Sequence, residues 1–380
     1  MRVLILSLGQ YNGTGGVNTY INLLKNNMGN IDFHIHSLSD LSTLTSNENE
    51  MVALFKQKMV ERFARTYPPA FINFEVMKFI HKIILSKMEI EKFDLVHSQN
   101  GVMSSVFKEI YPNKPMVGTI HGSFYNESIL EGWVNNLNEA NIFKLYDHYA
   151  FSIPDSIITV TKNIHVPQEF REHHFTIYNG VNLNLFTPIF SVKNPIKIIT
   201  SGRLTHLKGY DILMKALIPL QSQKELFKVI ICGEGPEQKR LEMMAVEHEL
   251  PVHFRGHLSK TDLAAELSNA DLFVQPSRTE NFPFSVLEAM ASGCIPIVST
   301  VGGMTEQVEH TVSGFTFESE NADELSKIIK KLIANTEILV PLKKMARTRV
   351  EALFSLDKMV SEIELIYRKT VKDYKRKREE

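Results

Sequence analysis

Apolar residues along this chain follow two rhythms. Short, nearly unbroken apolar runs rich in β-branched residues alternate with longer stretches whose apolar positions recur at three- and four-residue steps. The first kind reads as strands covered on both faces, the second as amphipathic helices. Strands are predicted at "RVLILSL", "DFHIHSL", "FDLVHSQ", "KPMVGTIHG", "DSIITVT" and "HFTIYNG", then at "IKIITSG", "FKVIICG", "VHFRG", "DLFVQPS" and "CIPIVST". Strand, loop and helix in repetition imply parallel sheets with helices on both sides. These eleven runs are many for one open sheet and suit two sheets of five or six strands. The stretch 182–197, "NLNLFTPIFSVKNPIK", has prolines, asparagines and no helical period, and marks a break. The fold class is therefore α/β, with two doubly wound, Rossmann-like domains and a cleft between them. From Glu48 to Phe93 the pattern is helix, a Pro68–Pro69 break, then a second amphipathic helix. That apolar face serves the first sheet, a partner chain, or a lipid or acceptor.

Composition narrows the class. With 42 basic against 43 acidic residues, no global charge argues for a nucleic-acid partner. The tail "RKTVKDYKRKREE" is locally basic, either a solvated helix end or a peripheral contact with a membrane surface. Cys232 and Cys294 both lie in apolar stretches, which excludes a disulfide framework and suits a reducing cytoplasm. The opening apolar run is shorter than a signal-peptide core, and no run approaches the roughly 20 residues that span a bilayer.

Candidate chemistry gathers where strands end, since ligands of open parallel sheets collect there. "GQYNGTGG" lies between the first strand and a helix, and is either a structural turn or an anion or sugar contact. It matches neither the dinucleotide fingerprint nor a Walker loop. "SGRLTHLKGYDIL" places Arg203 and Lys208 before a helix start, either as solvated surface cations or as partners of a diphosphate. "ENFPFSVLE" carries Glu280 and Glu288. Ser285 and Glu288 form an S-x-x-E capping-box pattern, a structural account of Glu288. The functional account takes the two carboxylates as a ruler: too far apart to share a proton, they bracket a ligand with hydroxyls at both ends and phosphate between, facing the N–H groups near Phe284 and Ser285.

These residues carry a resemblance. "ENFPFSVLE" resembles the E-x7-E signature of retaining glycosyltransferases of the GT-B fold, family 4. Tyr178–Asn182 with Phe186 and Pro188 is similar to that family's interdomain segment, and "SGRLTHLKG" to its diphosphate-binding motif. "FRGHLS", "LFVQPSRTE" and "VGGMTEQVEHTVSGF" follow in family order. The resemblance implies transfer of a hexose or N-acetylhexosamine from a nucleotide-diphosphate sugar, UDP-linked by family frequency, to a hydroxyl on a glycan, lipid-linked or protein acceptor. It implies an acceptor-binding domain over 1–188, a donor-binding domain over 189–355 and a C-terminal helix, 356–380, that crosses back. Glu288 would hold the ribose and Glu280 the hexose. Arg203 and Lys208 would neutralise the diphosphate, and Gly16 would approach it. His121 would lie at the hexose on the acceptor side. Backbone from Phe282 through Phe284 to Ser285 would bind sugar and phosphate, and the base would rest near Gly233 and on Arg255 to Leu258. Asn281, Pro283 and Asn182 depart from the commoner family residues. No Asp-x-Asp occurs in the chain, so no metal or cofactor is implied. A homo-oligomer fits the pattern, and the rival reading is a non-catalytic nucleotide-sugar-binding subunit of a larger transferase.

Overall fold

A computed structural model describes residues 1–11 and 15–379, so Asn12, Gly13 and Thr14 of the first glycine loop lie outside the described residues. Two compact units emerge: residues 1–177 with 360–380, and residues 178–359. The sequence reading placed its division at 188/189. Tyr178 and Asn179 explain the difference: the Tyr178 ring stacks on Phe282, 5.0 Å between centroids, and the Asn179 amide donates to the Phe282 carbonyl at 2.8 Å. Both residues are thereby built into the second unit.

The first unit is a parallel sheet of β1 (Arg2–Leu6), β2 (Asp32–His36), β3 (Leu95–Ser98), β4 (Met116–Ile120), β5 (Ser156–Thr159) and β6 (His174–Thr176). Its order is β2-β1-β3-β4-β5-β6. The second holds β7 (Ile196–Ser201), β8 (Phe227–Cys232), β9 (Val252–Gly256), β10 (Leu272–Gln275), β11 (Ile295–Ser299) and β12 (Phe315–Phe317), in the order β12-β11-β10-β7-β8-β9. Strands β4, β5, β7, β10 and β11 are buried at every position, which is why their sequences run apolar rather than alternating. Eleven strands fall on the predicted runs. The twelfth, "FTF", is too short to show a period and pairs only with β11 at the sheet edge.

The helix Leu356–Glu379 ends the chain. Its later turns belong to the first unit: Tyr367 is fully buried with its hydroxyl 2.6 Å from His97 Nδ1, and the Thr370 hydroxyl lies 2.8 Å from that of Ser156. His97 also reaches the Thr119 hydroxyl through Nε2 at 2.7 Å, and burial holds its ring neutral, with a pKa lowered to about 3. The long amphipathic region forms the helices Ser46–Phe63 and Pro69–Leu85, with Pro69 at the first helical position and Phe55 stacked on Phe79 at 4.3 Å. Among the described residues no helix is long and apolar enough to cross a membrane.

Candidate active site

Each doubly wound sheet has a place where successive connections leave in opposite directions, and a crevice opens beyond the strand ends there. In the second unit that place lies between β7 and β10. The loop after β7 carries Arg203 and Lys208; the loop after β10 carries Glu280. Gly209 brings the two loops together. It adopts φ 66°, and a Cβ there would sit 1.9 Å from the Pro276 carbonyl oxygen. Arg278 completes the clamp. Its backbone N–H donates to the Leu207 carbonyl at 2.8 Å, and its guanidinium to the His206 carbonyl at 2.6 Å and to both oxygens of Asp211 at 2.8 and 2.9 Å. Burial pushes the Asp211 carboxyl pKa up, but the Arg278 hydrogen bonds and charge outweigh it and hold the value at about 2.

Glu280 is the centre of this arrangement. Its Oε1 accepts from Lys208 Nζ at 2.5 Å, from the Ser277 hydroxyl at 3.1 Å and from the Gln275 amide at 3.3 Å. The Glu280 side chain is 10% exposed and Lys208 30%. No hydrogen bond from the described residues reaches the other carboxylate oxygen. Gly302 fixes the backbone beneath: at φ 53°, an added Cβ would lie 1.7 Å from the Glu280 carbonyl oxygen. Gly302→Ala is therefore expected to shift the Glu280 loop and to cost about 1–3 kcal/mol by overpacking. Denaturant unfolding checks this, and an unchanged midpoint would show the contact to be slack.

The capping box does not form. Pro283 occupies the N-cap of the helix Phe284–Ala291, and no side chain caps it. The Ser285 hydroxyl turns instead to Gln275 Oε1 at 3.0 Å, joining the Glu280 network. Uncapped, the first-turn N–H groups stay available to an anion. The carbonyls before them are taken, Phe282 by Asn179 and Pro283 by the Gln307 amide. The Phe282 side chain is buried against Tyr178 and Phe354. Glu288 is buried one turn further on and pairs with the exposed Lys260 ammonium. Arg203 is exposed, and no carboxylate among the described residues pairs with it. Arg255 pairs with Glu266 at 3.2 Å; Leu258 is half-buried, and the Gly233 N–H donates to the Gly256 carbonyl at 2.7 Å.

Gly16 and His121 belong to the first unit. They line one cleft at its own switch point, beyond β1, β3 and β4. Gly16 opens the helix Gly16–Asn27, and His121 follows β4 with its ring edge-on to Tyr20 at 4.9 Å. Burial lowers the His121 pKa to about 4.

Residues 184–349, which hold Arg203, Lys208, Lys260, Glu280 and Glu288, match the family described as Glycosyl transferases group 1. An uncharacterized glycosyltransferase of Methanocaldococcus jannaschii is 27% identical over 97% of this chain and 98% of its own. The chain is similar to the group 1 glycosyltransferases, by the family match over 184–349 and by a relative matched almost end to end. The putative colanic acid biosynthesis glycosyltransferase WcaL of Escherichia coli is 33% identical over 46% of each chain. Sucrose-phosphate synthase from Thermosynechococcus elongatus shares the fold over 97% of this chain and 98% of its own, at TM-score 0.71 and 20% identity. Anabaena HepE, solved with UDP and glucose, shares it over 96% and 98%, at TM-score 0.70 and 18% identity. The fold is GT-B.

In this chain the two ends of the E-x7-E segment thus meet different partners, Lys208 at Glu280 and Lys260 at Glu288. Sequence reasoning did not single out Lys260, Gln275, Ser277 or Arg278. Lys260 comes from the helix Lys260–Ser268, distant in sequence, so nothing local announces its pairing. Gln275 and Ser277 sit within the quoted "LFVQPSRTE", two residues apart at a strand end, and that position was the available signal.

Proposed function

We propose that this protein moves a hexose or N-acetylhexosamine from a UDP-sugar to a hydroxyl of a glycan, lipid-linked or protein acceptor. The anomeric configuration is retained, no metal takes part, and the reaction serves polysaccharide or cell-envelope synthesis on the cytoplasmic side. One observation carries the reading: a carboxylate held through one oxygen by three donors, the Lys208 ammonium among them, and open at the other, next to an uncapped helix start. The diphosphate lies against Arg203, Lys208 and the N–H groups of Phe284 and Ser285, whose charge replaces that of a metal. The open oxygen of Glu280 accepts from hexose hydroxyls and stabilises positive charge at the anomeric carbon. Glu288 takes the ribose diol. The bond from the anomeric carbon to the phosphate oxygen breaks and one to the acceptor oxygen forms on the same face, while the leaving phosphate receives the acceptor proton. Catalysis is then mostly positioning and electrostatics. Two similar proteins support the donor and pathway class: HepE was solved with UDP and glucose, and WcaL is named for colanic acid synthesis.

The test is nucleotide release from a panel of UDP-, GDP- and ADP-sugars, with and without EDTA. Release of UDP from a UDP-sugar, unaffected by the chelator, is expected. Tight UDP binding without release or transfer would point to a non-catalytic subunit, and strong EDTA inhibition would refute metal independence.

A further inference from the structure

The helix Phe284–Ala291 carries a carboxylate on an otherwise apolar stretch. Val286, Leu287, Ala289, Met290 and Ala291 are fully buried, and the Glu288 side chain between them is 6% exposed. A carboxylate buried without a counter-charge is costly. Among the described residues Lys260 alone supplies one: its ammonium donates to Glu288 Oε1, and no hydrogen bond from a described residue reaches Oε2. Glu280 is held differently, with Ser277 and Gln275 beside its lysine. Without Lys208 the Glu280 carboxylate keeps two donors; without Lys260 that of Glu288 keeps none.

Its own helix does not explain where Lys260 points. It is the first residue of the helix Lys260–Ser268, whose N-cap is Ser259 and whose first turn carries Asp262. A helix start bears partial positive charge and favours acidic side chains, so an ammonium there is repelled. The Lys260 side chain is 54% exposed and has the length to extend into solvent. The ammonium lies instead against Glu288 and 6.0 Å from the centre of the buried Phe186 ring. Those two contacts offset the repulsion and fix the ammonium at Oε1.

A carboxylate accepts hydrogen bonds at both oxygens, and a vicinal diol brings two hydroxyl donors. By holding Oε1, Lys260 orients the group and leaves Oε2 as the free acceptor. We propose that Lys260 is a positioning residue for the nucleotide, acting through Glu288, and that the preference of this site for ribose over deoxygenated sugars depends on it. The inference rests on the assignment of Glu288 to the ribose diol and adds the residue that makes this carboxylate selective. A lysine that only covered Glu288 until ribose displaced it would have the opposite effect when removed, so one experiment separates the two roles.

The test is isothermal titration of UDP and of 2′,3′-dideoxy-UDP, which lacks the ribose hydroxyls. It is run on wild type, Lys260→Met, Lys260→Gln, Lys260→Arg and Glu288→Gln, with melting temperatures to establish that each variant is folded. Wild type is expected to bind UDP about tenfold or more tighter than the dideoxy nucleotide, as hydrogen bonds to a charged group do. The two neutral Lys260 variants are expected to bring the affinities within about threefold of each other by weakening UDP alone, and Lys260→Arg to restore most of the difference. A cation acting only at a distance on the diphosphate, or a variant merely less well folded, would weaken both nucleotides alike. That result, an unchanged preference in the neutral variants, or tighter UDP binding by them would overturn the proposal. Glu288→Gln locates the failure. If it too keeps the preference, or wild type shows none, the ribose assignment falls and the proposal with it. If Glu288→Gln loses the preference while the Lys260 variants keep it, only the role of Lys260 falls.

Discussion

Glu280→Ala is expected to lower kcat by about 10²–10³-fold, the loss typical of removing a preorganised charge-stabilising group, and to leave UDP affinity close to wild type. The split follows from the geometry. Nucleotide contacts are assigned to Arg203, Lys208, Glu288 and the start of the helix Phe284–Ala291, none of which needs the Glu280 carboxylate in order to fold. The carboxylate itself is held by Lys208, Ser277 and Gln275 through one oxygen only. A group fixed in that way loses little freedom when it meets charge developing on a sugar. Glu280→Gln keeps the shape and removes the charge, so it separates the two contributions: substantial recovery of kcat would mean that hydroxyl recognition dominates. Isothermal titration with UDP and steady-state kinetics with the active donor provide the readings. A kcat unchanged in the alanine variant would remove Glu280 from the reaction.

Lys343→Met is expected to destabilise the second unit by about 3–5 kcal/mol, because removing one partner leaves a buried charge uncompensated. Lys343 and Asp271 are both fully buried, 3.0 Å apart. The ammonium also donates to the carbonyls of Ser191 at 2.9 Å and Ala270 at 3.0 Å. Asp271 accepts from the backbone N–H groups of Lys193 and Lys197. The pair thus fastens the segment entering β7 to the turn entering β10, the two strands whose far ends carry Lys208 and Glu280. Thermal and denaturant unfolding measure the loss. A change within about 0.5 kcal/mol, the range of ordinary surface substitutions, would show the pair to be dispensable.

Most of the architecture was legible because its strands are buried on both faces. A run such as "IKIITS" shows no helical period, and its one charged side chain, Lys197, is paired with Glu266. Short elements were not legible: "FTF" follows Gly314, and pairing with β11 alone makes it a strand. At the site, the positions of Arg203, Lys208, Glu280 and Glu288 at or beyond strand ends were readable from spacing. Their partners were not. Ser285 followed by Glu288 has the pattern of a capping box, yet Pro283 at the N-cap and the nearby Gln275 redirect the serine. Gln99 and Glu127 carry no motif at all. Folding brings a strand end and a helix to one cleft and leaves the Gln99 amide nitrogen and the Glu127 carboxyl without partners among the described residues, a tertiary fact that no local pattern encodes.

The most direct measurement is a crystal structure with an unreactive UDP-sugar analogue bound. The account predicts the diphosphate on Arg203, Lys208 and the N–H groups of Phe284 and Ser285, hexose hydroxyls on the open oxygen of Glu280, and the ribose on Glu288. An analogue bound away from the β7–β10 switch point, or a hexose out of reach of Glu280, would contradict it.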